Sequence, residues 1–198
     1  MGKEEKFFAH ESALIEKGAQ IGNDTKIWHG CQVRSGAKIG KNCILGKGVF
    51  IDSGVVIGDA VKIQNYVSVY HGVTIGNGVF IGPHVCFTND LFPRAVNKDG
   101  SPKLGDDWVV SETHIADGVS LGANSTIRCG IDIGEWAMVG AGSVVTKNIS
   151  PFTLVFGNPA QFHGYVCKCG AKLVISNRDK KGATYYCPVC KEEYYFAK

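Results

Sequence analysis

Four cysteines crowd the last part of the chain, as C-K-C-G at Cys167–Gly170 and C-P-V-C at Cys187–Cys190. Thiolates in two close pairs can complete a tetrahedral Zn²⁺ site with Zn–S near ~2.3 Å. Cys167, Cys169, Cys187 and Cys190 are therefore read as ligands of a structural zinc. The single residue inside the first pair is tighter than usual, and a metal-free hairpin is the competing reading. Upstream, His71 offers an imidazole, a group that ordinarily titrates near ~6.5 and so accepts a proton around neutral pH. Downstream of it, T-N-D-L-F-P-R-A (Thr88–Ala95) places an amide, a carboxylate and a guanidinium close together. Arg94 can fork onto a phosphate or carboxylate. Asp90 can bind a hydroxyl or simply cap a loop.

The element that must position these groups is a repeat. Aliphatic or aromatic residues recur every six positions from Ile15 through Ile21, Ile27, Val33 and so on to Ile81 and Phe87, and the pattern resumes at Val109, Ile115, Leu121, Ile127, Ile133, Val139 and Val145. A 3.6-residue helix cannot keep such a stripe on one face. A short strand followed by a turn can, with the aliphatic residue and a small or β-branched partner four positions on pointing inward. Gly often follows the aliphatic residue, as at Gly22, Gly40 and Gly82, and is expected to permit the tight corner. Stacked strands repeat at roughly 4.8 Å, so the core grows coil by coil as in other solenoids.

The period breaks once. The step from Phe87 to Val109 is not a multiple of six, and Thr88–Trp108 carries turn residues and charges. It reads as a loop, 88–108, thrown out of one corner, and long loops in compact domains are often functional. The expected organisation is an all-β chain: a parallel β-helix over 1–150, a connector over 151–165, and a small β-rich, cysteine-containing, zinc-ribbon-like tail over 166–198.

Bulk properties exclude other classes. The 198 residues include 26 Gly and 6 Pro without a G-X-Y period, which is not collagen. A net charge of +3 is too small to argue for nucleic-acid binding. No run of ~18 apolar residues predicts a membrane span. The charged start, Met1–Ser12, has no apolar signal region, and the 8 Cys are scattered or clustered in the tail, so a reducing cytoplasm is expected.

The hexads resemble those of the hexapeptide-repeat acyltransferases. That resemblance implies three hexads per triangular coil of eighteen residues, a left-handed β-helix, a homotrimer with sites between subunits, and acetyl-CoA as cosubstrate. The stretch Lys62–Ala95, with I-W-H-G-C (Ile27–Cys31), G-A-G-S-V-V-T-K-N-I (Gly140–Ile149) and F-G-N-P-A (Phe156–Ala160), is similar to a subgroup that acetylates the 3-amino group of nucleotide-linked sugars. The implied substrate is a UDP-linked 3-amino-2-acetamido sugar acid used in surface polysaccharide synthesis. A dTDP-linked 3-amino-6-deoxysugar is the alternative. His71 departs from the subgroup, which carries an acidic residue there.

By this resemblance Gln64, Asn65, Tyr70, Asp90, Arg94 and His29 contact substrate. Ala123, Gly140, Ala141, Lys147 and Pro159 contact the cofactor: small residues admit the pantetheine arm, Lys147 meets a phosphate and Pro159 packs on adenine. With eighteen residues per coil, Ser35, Ser53, His71 and Asn89 stack in one column, so His71 lies a rung from Asn89. His71 is then the candidate base and Asn89 the group that orients the amine. The departing thiolate of CoA is the alternative proton acceptor. Two other readings are a non-catalytic β-helical scaffold and a β-helical carbonic anhydrase; the latter needs three zinc-binding His, and no close His pair is evident.

Overall fold

A computed structural model describes residues 6–197. Among them there is no α-helix, only one turn of 3-10 helix at Gly105–Asp107. Each hexad contributes a strand of about two residues, such as Lys26–Ile27, Gln32–Val33 and Lys38–Ile39. Ile27 pairs in parallel with Leu45, Leu45 with Ile63, and Ile63 with Ile81. Partners are thus eighteen residues apart, three hexads to a coil. The strands form three parallel faces: a first containing Lys26–Ile27, a second containing Gln32–Val33 and a third containing Lys38–Ile39. This is the left-handed β-helix of hexapeptide repeats.

The strands are short because the coil must turn every six residues, and they hold because the inward residue is buried in every coil strand from Gln20–Ile21 onward. Ile27, Leu45, Ile51, Ile63, Ile81, Leu121 and Ile127 all have zero exposure. Burying one such side chain favours folding by about 1.5–3 kcal/mol, and one continuous core runs from Ile21 to Val155. Backbone groups are paired along the axis, as where Trp28 N donates to Leu45 O at 3.0 Å, so little polar backbone is buried unpaired.

The corner glycines work differently from the expectation. The left-handed backbone falls three residues after most of the aliphatic positions, for example at Gly72 (φ 91°) and Asn124 (φ 57°). The glycines directly after the aliphatic residue are there for close approach. A Cβ on Gly82 would lie 2.6 Å from Ala123 N in the next coil.

The loop also differs. Val109 is 83% exposed and belongs to the loop, not the core. The coil resumes at Thr113–Ile115, which pairs with Val73–Ile75, so the excursion runs over 88–112. It leaves and re-enters at the corner between the second and third faces. Past 150 the helix continues: Thr153–Gly157 joins the first face beside Met138–Val139, and Ala160–Tyr165 turns back antiparallel to it. The segment 151–165 is therefore a hairpin whose first strand completes the core through Val155. Val174–Arg178, Gly182–Tyr186 and Glu193–Ala197 form a separate three-stranded antiparallel sheet. No helix among the described residues is long and apolar enough to cross a membrane.

Candidate functional site

The corner between the second and third faces gathers His71, Asn89 and the root of the loop. Ser68–Val69 pairs with Phe50–Ile51, and Ser68 with Cys86, so His71 sits one rung from Asn89 and one from Ser53. The Asn89 Nδ2 donates to the His71 carbonyl oxygen at 3.4 Å; the amide meets the main chain of His71 and not its ring. The ring leans the other way, against Gly54, where an added Cβ would lie 3.0 Å from Nδ1. His71 Nδ1 lies 2.7 Å from Ser53 O. A carbonyl oxygen only accepts, so Nδ1 carries the proton, and in the neutral ring Nε2 keeps its lone pair. His71 is exposed, leaving Nε2 to face whatever occupies this corner.

A charge column missed by sequence reasoning supports this arrangement. Asp52 accepts from Arg34 Nη1 at 2.9 Å, from Ser53 N at 2.8 Å and from His71 N at 3.3 Å. Glu16 lies 3.8 Å from Arg34 Nε. The signal was available: Glu16, Arg34 and Asp52 are eighteen apart with alternating charge. The Glu16 carboxyl is held below its ordinary pKa first by the Ser35 N–H, which outweighs the opposing effect of burial, with lesser help from Gln32 and Arg34.

The loop is closed at its base. Ser111 N donates to Asn89 O at 3.0 Å, Asp90 bridges Val110, and Thr88 Oγ1 accepts from Cys129 N at 2.9 Å. Asp90 Oδ1 accepts from Phe92 N at 2.8 Å, so this carboxylate caps the loop. Arg94 is exposed, its Nη1 donating only to the neighbouring Pro93 O at 3.2 Å among the described residues. Asp90, Leu91, Phe92, Lys103, Asp107, Trp108, Val109 and Ser111 enclose a cleft of about 440 Å³. A larger hollow of about 550 Å³, around Lys6, Phe8, Asp24 and Asn42, lies toward the N-terminal coils and holds none of the candidate groups.

Two loop carboxylates accept hydrogen bonds from within the excursion. Asp107 is held below its ordinary pKa first by the Leu104 N–H, then by Asn97. Asp99 is held low by the Ser101 hydroxyl and N–H. A depressed carboxylate stabilises the fold above its unfolded pKa, and that contribution is lost as pH falls through the folded value. The amide resonances of Leu104 and Ser101 are therefore expected to titrate together below the ordinary aspartate value of 3.8. Midpoints at or above that value would show that these bonds do not hold the loop.

The other expected contacts divide between two corners. Phe80 pairs with Ser120 and Ile81 with Leu121; Ser120 pairs with Met138 and Leu121 with Val139. Ala123 and Ala141 thus extend the His29, Lys47, Asn65, Pro83 column, at the corner between the first and second faces. They do not continue the His71–Asn89 column. Gln64, Gly140 and the Asn158–Pro159 turn belong to this same corner, and a Cβ on Gly140 would lie 2.7 Å from Phe156 Cβ. His29 stacks on His10 at 3.6 Å between ring centroids. Lys147 falls elsewhere: Phe87 pairs with Ile127 and Ile127 with Val145, which places it on the column of His71 and Asn89, three rungs or roughly 14 Å above His71. Tyr70 begins that corner, 6.1 Å from the Phe50 ring. Cys167, Cys169, Cys187 and Cys190 converge in the tail, far along the chain from both corners.

The comparisons with known proteins match this architecture. The family model for bacterial transferase hexapeptide (six repeats) matches residues 18–53, 54–89 and 112–147, together more than half of the chain, and skips the loop. The chain belongs to the hexapeptide-repeat acyltransferases. A second model, for the hexapeptide repeat of succinyl-transferase, matches 36–71. A dTDP-3-amino-3,6-dideoxy-α-D-galactopyranose 3-N-acetyltransferase of Aneurinibacillus thermoaerophilus is 57% identical over 61 residues, covering 31% of this chain and 32% of that protein. Bifunctional protein GlmU of Thermotoga petrophila is 38% identical over 74 residues, 36% of this chain and 15% of that protein. The chain thus spans a third or less of the length of these relatives. Among solved structures, a galactoside acetyltransferase in complex with coenzyme A superposes with TM-score 0.55 at 25% identity over 64% of each chain. PerB from Caulobacter crescentus, in complex with CoA and GDP-perosamine, superposes with TM-score 0.51 at 18% identity, over 81% of this chain and 58% of that one. This last likeness is one of fold.

Within the hexapeptide-repeat family the two corners of this chain are chemically distinct. One bears an imidazole with a defined tautomer, a side-chain amide and an exposed guanidinium. The other is lined by Ala123, Gly140 and Ala141, and offers backbone N–H groups and little side-chain bulk.

Proposed function

We propose that this hexapeptide-repeat protein transfers the acetyl group of acetyl-CoA to the 3-amino group of a nucleotide-linked sugar. The observation that carries the chemistry is His71 Nδ1 pinned to Ser53 O, which leaves Nε2 as a proton acceptor on the exposed side of this corner, while Asn89 holds the His71 main chain. The neutral amine attacks the thioester carbonyl carbon, forming the C–N bond and an oxyanion. A backbone N–H at a coil corner holds that oxyanion. His71 Nε2 takes the proton from nitrogen. Collapse breaks the C–S bond, and the imidazolium returns the proton to the departing thiolate, giving amide and free thiol. Asn89 Oδ1 orients the amine, and Arg94 binds a phosphate of the nucleotide. Gln64, Asn65, Tyr70 and His29 supply the remaining substrate contacts, while Asp90 holds the root of the loop.

The small residues Ala123, Gly140 and Ala141, with Pro159, form the track for the cofactor, and Lys147 meets one of its phosphates. That track and His71 occupy different corners of one chain, separated by the second face. This separation supports a homotrimer in which each site is built between subunits.

The substrate named for the Aneurinibacillus relative favours a dTDP-linked 3-amino-6-deoxysugar over a UDP-linked sugar acid. CoA release assayed across UDP- and dTDP-linked 3-amino sugars tests this. The expected result is turnover of 3-amino substrates, with the highest kcat/KM on the dTDP-linked 6-deoxysugar. Preference for the UDP-linked acid would reverse the choice of nucleotide. Absence of turnover, with no acetyl-CoA-dependent rise in melting temperature, would point to a scaffold.

A further inference from the structure

We infer that the C-terminal tail binds one Zn²⁺ through Cys167, Cys169, Cys187 and Cys190, and that the metal clamps this small sheet onto the last coil of the β-helix. The inference is independent of the proposed reaction. It rests on convergence: the four sulfur atoms all lie within 4.8 Å of one another. Four thiolates around zinc at ~2.3 Å define a tetrahedron with edges of roughly 3.8 Å. Cys167 and Cys190 are 3.3 Å apart, and Cys169 and Cys187 3.5 Å. The short C-K-C spacing does not prevent the fit.

The surroundings suit thiolates. Cys169 N lies 3.4 Å from Cys167 Sγ, and Cys190 N lies 3.4 Å from Cys187 Sγ. N–H donors of this kind offset the negative charge of a tetrathiolate centre. The Tyr194 hydroxyl lies 3.2 Å from Cys167 Sγ and 2.7 Å from Glu192 Oε2. An all-sulfur tetrahedral set selects zinc over hard cations. The tail also needs it: among the described residues its buried cluster is Cys167, Leu173 and Cys187, edged by Tyr165, Ala171, Tyr185, Tyr194 and Phe196. So small a core does not usually hold a fold without a staple.

The contacts show what the clamp would hold. Tyr165 stacks on Phe196 at 3.9 Å, and Phe152 packs against Tyr194 at 5.5 Å. Lys168 Nζ lies 5.3 Å from the Trp136 ring. Tyr165 ends the strand that returns from the Pro159 turn, so the metal-bound sheet braces the hairpin completing the core. Solenoids need such terminal caps.

Elemental analysis of the full chain, purified under reductant, is expected to give about one zinc per chain. Cobalt substitution is expected to give the sulfur-to-metal charge-transfer absorption of a tetrahedral thiolate site. Chelation is expected to release the metal and to speed hydrogen exchange over 166–197 while residues 18–87 keep their protection. The exposed Cys169→Ser change, which spares the buried ligands, should shift the cobalt spectrum even if Cys187→Ser does not fold. A chain that remains metal-free after zinc is added under reductant, or whose intact mass shows two disulfides in its place, overturns the inference.

Discussion

Replacing His71, the proposed base, with Ala is expected to lower kcat for acetyl transfer by about 10²–10⁴-fold, the usual worth of a positioned general base. In free energy this is roughly 2.7–5.4 kcal/mol. The expectation follows from the hydrogen bond between Nδ1 and Ser53 O: with that nitrogen protonated, Nε2 is the atom able to accept the amine proton. KM for acetyl-CoA should change little, because Ala123, Gly140 and Ala141, the proposed cofactor track, lie on another corner. The measurement is steady-state kinetics near neutral pH on a 3-amino nucleotide sugar. Near-wild-type turnover by the variant would remove His71 from proton transfer and leave that task to the departing thiolate, with catalysis by positioning.

Replacing Phe87 with Ala costs about 3–5 kcal/mol of stability, the range for truncating a buried aromatic side chain. Phe87 is 1% exposed and is among the largest fully buried side chains of the core. It also ends the strand from which the loop departs, paired with Ile127 in the next coil. A cavity here cannot be filled from the loop side, because Thr88 is tied to Cys129 N at 2.9 Å. Chemical denaturation should show the loss as an earlier midpoint, and hydrogen exchange should place the greatest weakening in the coils on either side of 87, since each coil contacts only its neighbours. A loss below about 1 kcal/mol would mean that this coil collapses to fill the space.

The repeat was legible because burial leaves a fixed imprint. Every sixth residue must be apolar if a coil of three faces is to close on a dry core, and Ile27 to Ile81 obey this without exception. The stacking of His71 beside Asn89 followed from that period. What the period cannot carry is the length of chain spent outside the coil. Val109 stands six residues before Ile115 and so mimics a core position, yet it is 83% exposed; the loop reads longer in space than in sequence. The same gap hid the register beyond it. Ala123 and Ala141 belong to the corner of His29 and Asn65, and Lys147 to the corner of His71. The pairing of Arg34 with Asp52 was readable from their eighteen-residue spacing, but the same carboxylate serving Ser53 and His71 shows only when three coils are read together. The cysteine tail was legible as chemistry but not as geometry, since two pairs distant in sequence converge only through the antiparallel sheet between them.

The most direct measurement is a structure of the protein with CoA and a nucleotide-linked 3-amino sugar bound. The account predicts the amine nitrogen within about 3.2 Å of His71 Nε2, with the pantetheine arm along Ala123 and Ala141 of an adjoining copy. A sugar seated away from the Ser53–His71–Asn89 column, or an amine that faces no part of the imidazole, would contradict it.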